Sequence, residues 1–115
     1  MQRITLILIC AFLTSTNTFS QTGTTKTDTF KVYGNCNMCK STIEGALKKK
    51  DGIVSKEWNT ETKMITVTYD PAKITLTRIK QKIADVGYDT DEIRAKTEAY
   101  NKLHKCCQYE RPERK

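Results

Sequence analysis

Two groups of residues could do chemistry. Cys36 and Cys39 are separated by Asn37 and Met38, and a second cluster, His104 with Cys106 and Cys107, stands near the C-terminal end. Two cysteines at this spacing, on a loop that opens a helix, can turn both sulfurs toward one point. Thiolates favour soft ions, and Cu(I) is satisfied by two of them where Zn(II) prefers four ligands. A helix N-terminus near Cys39 and the neighbouring Lys40 both favour negative charge there, which helps the thiols ionise. Spacing alone leaves two other uses open. One is a disulfide, since exported proteins live in an oxidising compartment, and the other is redox exchange of the thioredoxin kind. The redox use fits the context less well, because no aromatic residue or proline stands beside the cysteines.

The second cluster is harder to place. Adjacent cysteines are poor disulfide partners, because the eight-membered ring is strained, yet either can reach a third thiol or a metal. Folded back over the first loop, Cys106 or Cys107 could add a third or fourth ligand to Cys36 and Cys39, with His104 as a further donor. Such a site suits Zn(II) or an enclosed Cu(I). A separate local site, a disulfide to the first pair and an unstructured thiol pair are the alternatives. Met38 could offer its thioether to Cu(I), or turn inward to support the loop, which is the more ordinary role.

The elements that must position these residues follow from periodicity. Phe30 to Tyr33 alternates as a short strand ended by Gly34 and Asn35, and Ser41 to Lys50 has apolar residues at helical spacing, stopped by Asp51 and Gly52. Ile53 to Trp58 and Met64 to Tyr69 read as a hairpin joined by Asn59 to Lys63, with Ile65, Val67 and Tyr69 on the buried face. Thr75 caps a second helix running to Val86, Gly87 ends it, and Tyr88 to Arg94 reads as a last strand. This order predicts an α+β, ferredoxin-like βαββαβ sandwich in which two helices cover a four-stranded antiparallel sheet. Lys96 to Lys105 reads as an additional helix, and Gln108 to Lys115 as a polar tail.

Residues 1–20 differ from the rest: Arg3, an apolar run from Ile4 to Leu13, then small polar residues to Ser20. That is the layout of a cleaved secretory signal peptide, too short in its apolar part to span a bilayer. A lipoprotein read through Cys10 is disfavoured by bulky Ile9 before it. The expected division is a signal peptide (1–20), a flexible Thr-rich leader (21–28), one domain (29–95) and a C-terminal helix and tail (96–115), in a periplasmic or secreted protein. A chain of 115 residues has room for one core. The formal net charge is +7, but the lysines are scattered, with Lys48 to Lys50 the only tight run, and this basicity reads as a solvated surface rather than a nucleic-acid face. No nucleophile triad, paired carboxylates or phosphate-cradling loop is present, so no enzyme activity is expected.

Residues 30 to 94 resemble the heavy-metal-associated domain family, which includes copper chaperones, soluble domains of copper-exporting ATPases and the periplasmic mercury-binding protein. The resemblance rests on Gly34-Asn35-Cys36-Asn37-Met38-Cys39, Ile43-Glu44 with Ala46-Leu47, Asp51-Gly52-Ile53, Val67 to Pro71 and Ile83 to Tyr88. It implies metal binding by Cys36 and Cys39, with Tyr88 beside the site. It also implies Cu(I) as the first cargo, Zn(II) or Hg(II) as others, and a metal-transporting membrane protein or another metal-binding domain as partner, met by a monomer or a metal-bridged dimer. Two positions depart from the pattern. Gly34 stands where a loop-supporting methionine is usual, and Lys56 stands where the second strand is usually apolar, which marks that strand as irregular or at an edge.

Overall fold

A computed structural model describes residues 24–113. The expected signal peptide, Cys10 included, lies outside the described residues. Three strands form one antiparallel sheet in the order β1-β3-β2: β1 is Lys26–Lys31, β2 is Ile53–Trp58 and β3 is Met64–Tyr69. Helix α1 spans Asn37–Gly45, α2 spans Leu76–Asp85, and a short α3 spans Thr97–Asn101. Among the described residues no helix is long and apolar enough to cross a membrane.

Strand β1 begins at Lys26, inside the stretch expected to be a flexible leader. Its outer half is paired to β3 and tied there by Thr27 and Thr68 hydroxyls 2.8 Å apart and by Tyr69 Oη donating to Asp28 Oδ2 at 2.6 Å. The hairpin between β2 and β3 is set by Asn59, whose Oδ1 accepts from the amides of Glu61 and Thr62 at 2.8 and 2.9 Å, a side chain mimicking the turn's own acceptor. The register shifts between Ile53 and Ser55, and β2 lies at the sheet edge. Lys56 uses that edge to reach back and donate to the Leu47 carbonyl.

The sheet has three strands and not the expected four. Val32 and Thr90 form a single antiparallel bridge, flanked by Tyr33 N donating to Asp89 O at 2.9 Å and Asp91 N donating to Lys31 O at 3.1 Å. Beyond that the chain curls, because Thr90 Oγ1 accepts from Ile93 N at 2.9 Å and Asp89 Oδ1 accepts from Ala95 N at 2.7 Å. Buried Lys80 pins the curl from α2, with Nζ 3.0 Å from Asp91 and 2.9 Å from Glu92. Side chains have taken the backbone donors that a fourth strand would have used.

The core lies between the sheet and the two main helices. Ile65, Val67 and Tyr69 from β3, Ile43 and Leu47 from the α1 segment, and Ile79 and Ile83 from α2 are all buried within it, along with Phe30, Val32 and Trp58. The core also takes in Cys107 and Tyr109, from the stretch expected to end in a polar tail. The single helix expected over Lys96 to Lys105 is α3 plus a separate 3-10 turn, Lys105–Cys107.

Candidate metal centre

Helix α1 starts at Asn37, four residues earlier than its apolar spacing suggests, and Cys36 is the residue that caps it. Met38 and Cys39 therefore ride on the first helical turn. Cys36 is half-buried and Cys39 is 0% exposed. Asn35 N donates to Cys39 Sγ at 3.4 Å, so a backbone amide already faces the sulfur. Burial pushes the Cys39 thiol up, but the backbone hydrogen bonds from Cys36 and Asn35, with help from the Cys107 and Tyr88 side chains, more than offset it and leave the pKa lowered. Stabilising the thiolate in this way prepares the sulfur for a cation.

Gly34 explains how the loop can be supported without its usual methionine. A Cβ built there would lie 3.0 Å from two atoms of the Trp58 ring, so the indole occupies the space under the loop. Trp58 is held by Nε1 donating to Val32 O at 3.1 Å. Met38 is thereby freed from a supporting role. It is 48% exposed, and its sulfur lies 3.7 Å from Cys106 Sγ.

The C-terminal segment does fold back over the first loop. The sulfurs of Cys36, Cys106 and Cys107 all lie within 4.8 Å of one another, and those of Cys106 and Cys107 are 3.9 Å apart. Cys107 is buried and Cys106 exposed, and all four cysteines of the described residues are free thiols. Burial and the neighbouring Cys39 push the Cys107 thiol up to about 12. His104 is exposed, caps the turn before Cys106 and does not belong to this sulfur group.

Tyr88 stands beside the sulfurs. Gly87 makes this placement possible, with φ of +106° and a position where a Cβ would come 2.8 Å from the Ala99 carbonyl oxygen. The Tyr88 hydroxyl is buried without a hydrogen bond, next to the thiols of Cys39 and Cys107. Its pKa is raised, by burial first and by those two sulfurs second. A neutral phenol kept protonated against sulfur is a donor for a thiolate. Lys40, expected to support the thiolates, is engaged elsewhere: Nζ lies 2.7 Å from Glu57 Oε1 and 2.8 Å from Glu44 Oε2, and donates to Trp58 O at 2.9 Å. Two carboxylates already compensate its charge.

Several positioning residues were not singled out from the sequence. Asn35 bridges the two loops, with Nδ2 donating to Cys106 O at 3.2 Å while its own carbonyl accepts from Lys63 Nζ at 3.1 Å. Tyr109 stacks on Tyr88 with centroids 5.6 Å apart. Its hydroxyl accepts from Asp89 N and donates to Gly87 O, both at 2.8 Å. Arg111 forks onto Asp89, with Nε 2.9 Å from Oδ2 and one terminal nitrogen 2.8 Å from Oδ1. The alternation of Tyr109 and Arg111 immediately after Cys106-Cys107 is the signal that could have found this anchor.

An α+β sandwich with paired cysteines at the head of its first helix, one of them buried on the first turn, defines a class of small soft-metal-binding modules. The profile of the heavy-metal-associated domain matches residues 29–89. The chain belongs to the heavy-metal-associated domain family. It is 43% identical over 54 residues to the copper chaperone CopZ of Staphylococcus aureus (strain bovine RF122 / ET3-1), a match covering 47% of this chain and 79% of that protein. Among solved structures it resembles oxidized MerP from Ralstonia metallidurans CH34, with a TM-score of 0.55, 32% identity, and 59% and 96% of the two chains covered. It also resembles the N-terminal domain of a potential copper-translocating P-type ATPase from Bacillus subtilis in the Cu(I)-loaded state, with a TM-score of 0.55, 25% identity, and 64% and 100% covered.

Proposed function

We propose that this protein is an exported carrier of Cu(I), which holds the ion between the thiolates of Cys36 and Cys39 and passes it by ligand exchange to a metal-binding domain of a membrane transporter. The observation that carries this reading is the placement of the cysteine pair. Cys36 is part-exposed at the head of α1, where an incoming thiolate can reach it, while Cys39 is buried one turn further on with the Asn35 amide against its sulfur. An incoming ligand can add before an outgoing one leaves, so the ion need never be free. The copper chaperone and copper-ATPase relatives support Cu(I) as cargo and a transporter domain as recipient. The MerP likeness makes Hg(II) the second cargo to test, and the run from Arg3 through Leu13 supports export. Nothing in the reading requires catalysis.

The test is a titration of the reduced protein with Cu(I) against a competing chelator, repeated with Hg(II) and Zn(II). One Cu(I) per chain is expected; Cys36→Ser should abolish tight binding, and Cys39→Ser, which removes the open pair, should slow transfer of the ion to a thiol acceptor. Unchanged affinity in Cys36→Ser, or unchanged transfer in Cys39→Ser, refutes the reading.

A further inference from the structure

The cysteine pair does not account for all the sulfur at this end of the molecule. Cys36 is the one motif cysteine whose sulfur falls in the close group with Cys106 and Cys107. A soft ion about 2.3 Å from each of three thiolates in a plane would hold them about 4.0 Å apart. The 3.9 Å between Cys106 and Cys107, and the 4.8 Å limit on all three pairs, leave that geometry within reach of small side-chain rotations. Two independent features show a built arrangement rather than a chance approach. The strap carrying these cysteines is fixed from beyond them, by Tyr109 on Gly87 and Asp89 and by Arg111 on Asp89. At the cysteines themselves, Asn35 holds the Cys106 carbonyl. The second feature is the Tyr88 hydroxyl, fully buried beside Cys39 and Cys107 without a hydrogen bond, a donor whose partner is supplied once one of these sulfurs becomes a thiolate.

We propose that the C-terminal strap is part of the metal site: Cys106 and Cys107 join Cys36 in a three-thiolate seat that encloses the carried ion, with Cys36 shared between this closed seat and the open pair it forms with Cys39. The inference rests on the carrier function proposed above and assigns the C-terminal segment to it. Moving the ion from the open pair to the closed seat breaks the bond to Cys39 sulfur and forms bonds to Cys106 and Cys107. Each thiol that becomes a ligand releases its proton to solvent, the Cys39 thiolate becomes free to take one up, and the ion keeps its oxidation state. The N-terminus of α1, together with Lys63 on the Asn35 carbonyl, offsets the negative charge that three thiolates bring. In the closed arrangement an incoming thiol can reach part-exposed Cys36 and exposed Cys106 but not buried Cys107, so a recipient frees the ion completely only by displacing the strap.

The test compares the reduced, Cu(I)-loaded protein with Cys106→Ala/Cys107→Ala by X-ray absorption and by chelator competition. Three sulfurs are expected around copper in the parent and two in the double variant. The affinity should fall by at least the roughly 10- to 100-fold that loss of an outer-shell partner costs. Cys106→Ser, at an exposed position, is read alongside: it should also lower the sulfur count, and it serves if the double variant loses its fold. Two sulfurs in the parent, with equal affinity in the variants, overturns the three-thiolate seat while leaving the Cys36-Cys39 carrier standing. Tight binding that survives Cys36→Ser overturns both.

Discussion

Arg111→Leu tests whether the strap is held by its anchor rather than by its sulfurs. Asp89 is 0% exposed and accepts three short bonds, two from Arg111 and one from Ala95 N at 2.7 Å. Removing the guanidinium leaves that carboxylate buried against a single amide and the more distant charge of Arg94. Breaking a buried pair from one side costs about 3–5 kcal/mol, and the partial solvent access of Arg111 places this case near 3 kcal/mol. With urea m-values of about 1–3 kcal/mol per molar, the unfolding midpoint of the reduced, metal-free protein should fall by about 1–3 M. The pH dependence gives a sharper signature. Burial raises the Asp89 pKa, but Arg111 and the Ala95 amide more than compensate and hold it below its ordinary 3.8. In the parent, therefore, the pair's stabilisation is complete above that value and is lost as the pH falls through the lower folded value. Without Arg111 the buried carboxylate titrates above its unfolded value instead, so acidification relieves the variant before it harms the parent. The gap between the two proteins should be widest near pH 7 and narrower near pH 4.5. A gap below about 1 kcal/mol at neutral pH, or one that does not change with pH, would refute the argument that the Arg111-Asp89 pair anchors the strap.

Tyr88→Phe removes only the unsatisfied hydroxyl, so the metal-free protein should unfold at the same temperature or slightly higher, while Cu(I) affinity falls about 10- to 100-fold at unchanged stoichiometry; chelator competition and thermal unfolding read both. Gly34→Ala forces a methyl against the Trp58 ring at 3.0 Å. It should cost about 1–3 kcal/mol by overpacking and shift the tryptophan fluorescence, whereas an unperturbed spectrum and midpoint would show that the loop does not rest on the indole.

Legibility in the sequence followed the reach of the interactions. The hairpin, the Thr75 cap with Arg78 N donating to its Oγ1 at 3.1 Å, and the buried face of β3 are local patterns, and each stands where periodicity put it. The fourth strand failed because its residues read as extended one by one, while Asp89 and Thr90 turn inward to satisfy amides several residues ahead. Met38 departs from the inward, loop-supporting role for a similar reason. The space under the loop is filled by Trp58, which lies 24 positions from Gly34 in sequence and reaches it only through the sheet edge. The largest omission was the tail, where Tyr109 is buried among polar neighbours that hide it from any hydropathy window.

The anchor and the sulfurs have separate structural origins, and that separation bears on how tightly an ion can be held. Tyr109 contributes its ring to the core and its hydroxyl to the backbone at Gly87 and Asp89; Tyr100 Oη in turn donates to the Tyr109 carbonyl at 2.6 Å. None of these three side-chain hydrogen bonds involves a cysteine. The entropy of ordering the strap is therefore lost on folding, before any ion arrives, and is not subtracted from the binding free energy. A strap ordered only by the metal would weaken the site by its own ordering cost, whereas one already fixed behind Cys107 leaves only side-chain rotations to complete. The same anchoring sets the difficulty of release. Under the proposed transfer, a recipient must either compete at part-exposed Cys36 with the strap in place, or work against contacts that belong to the fold itself.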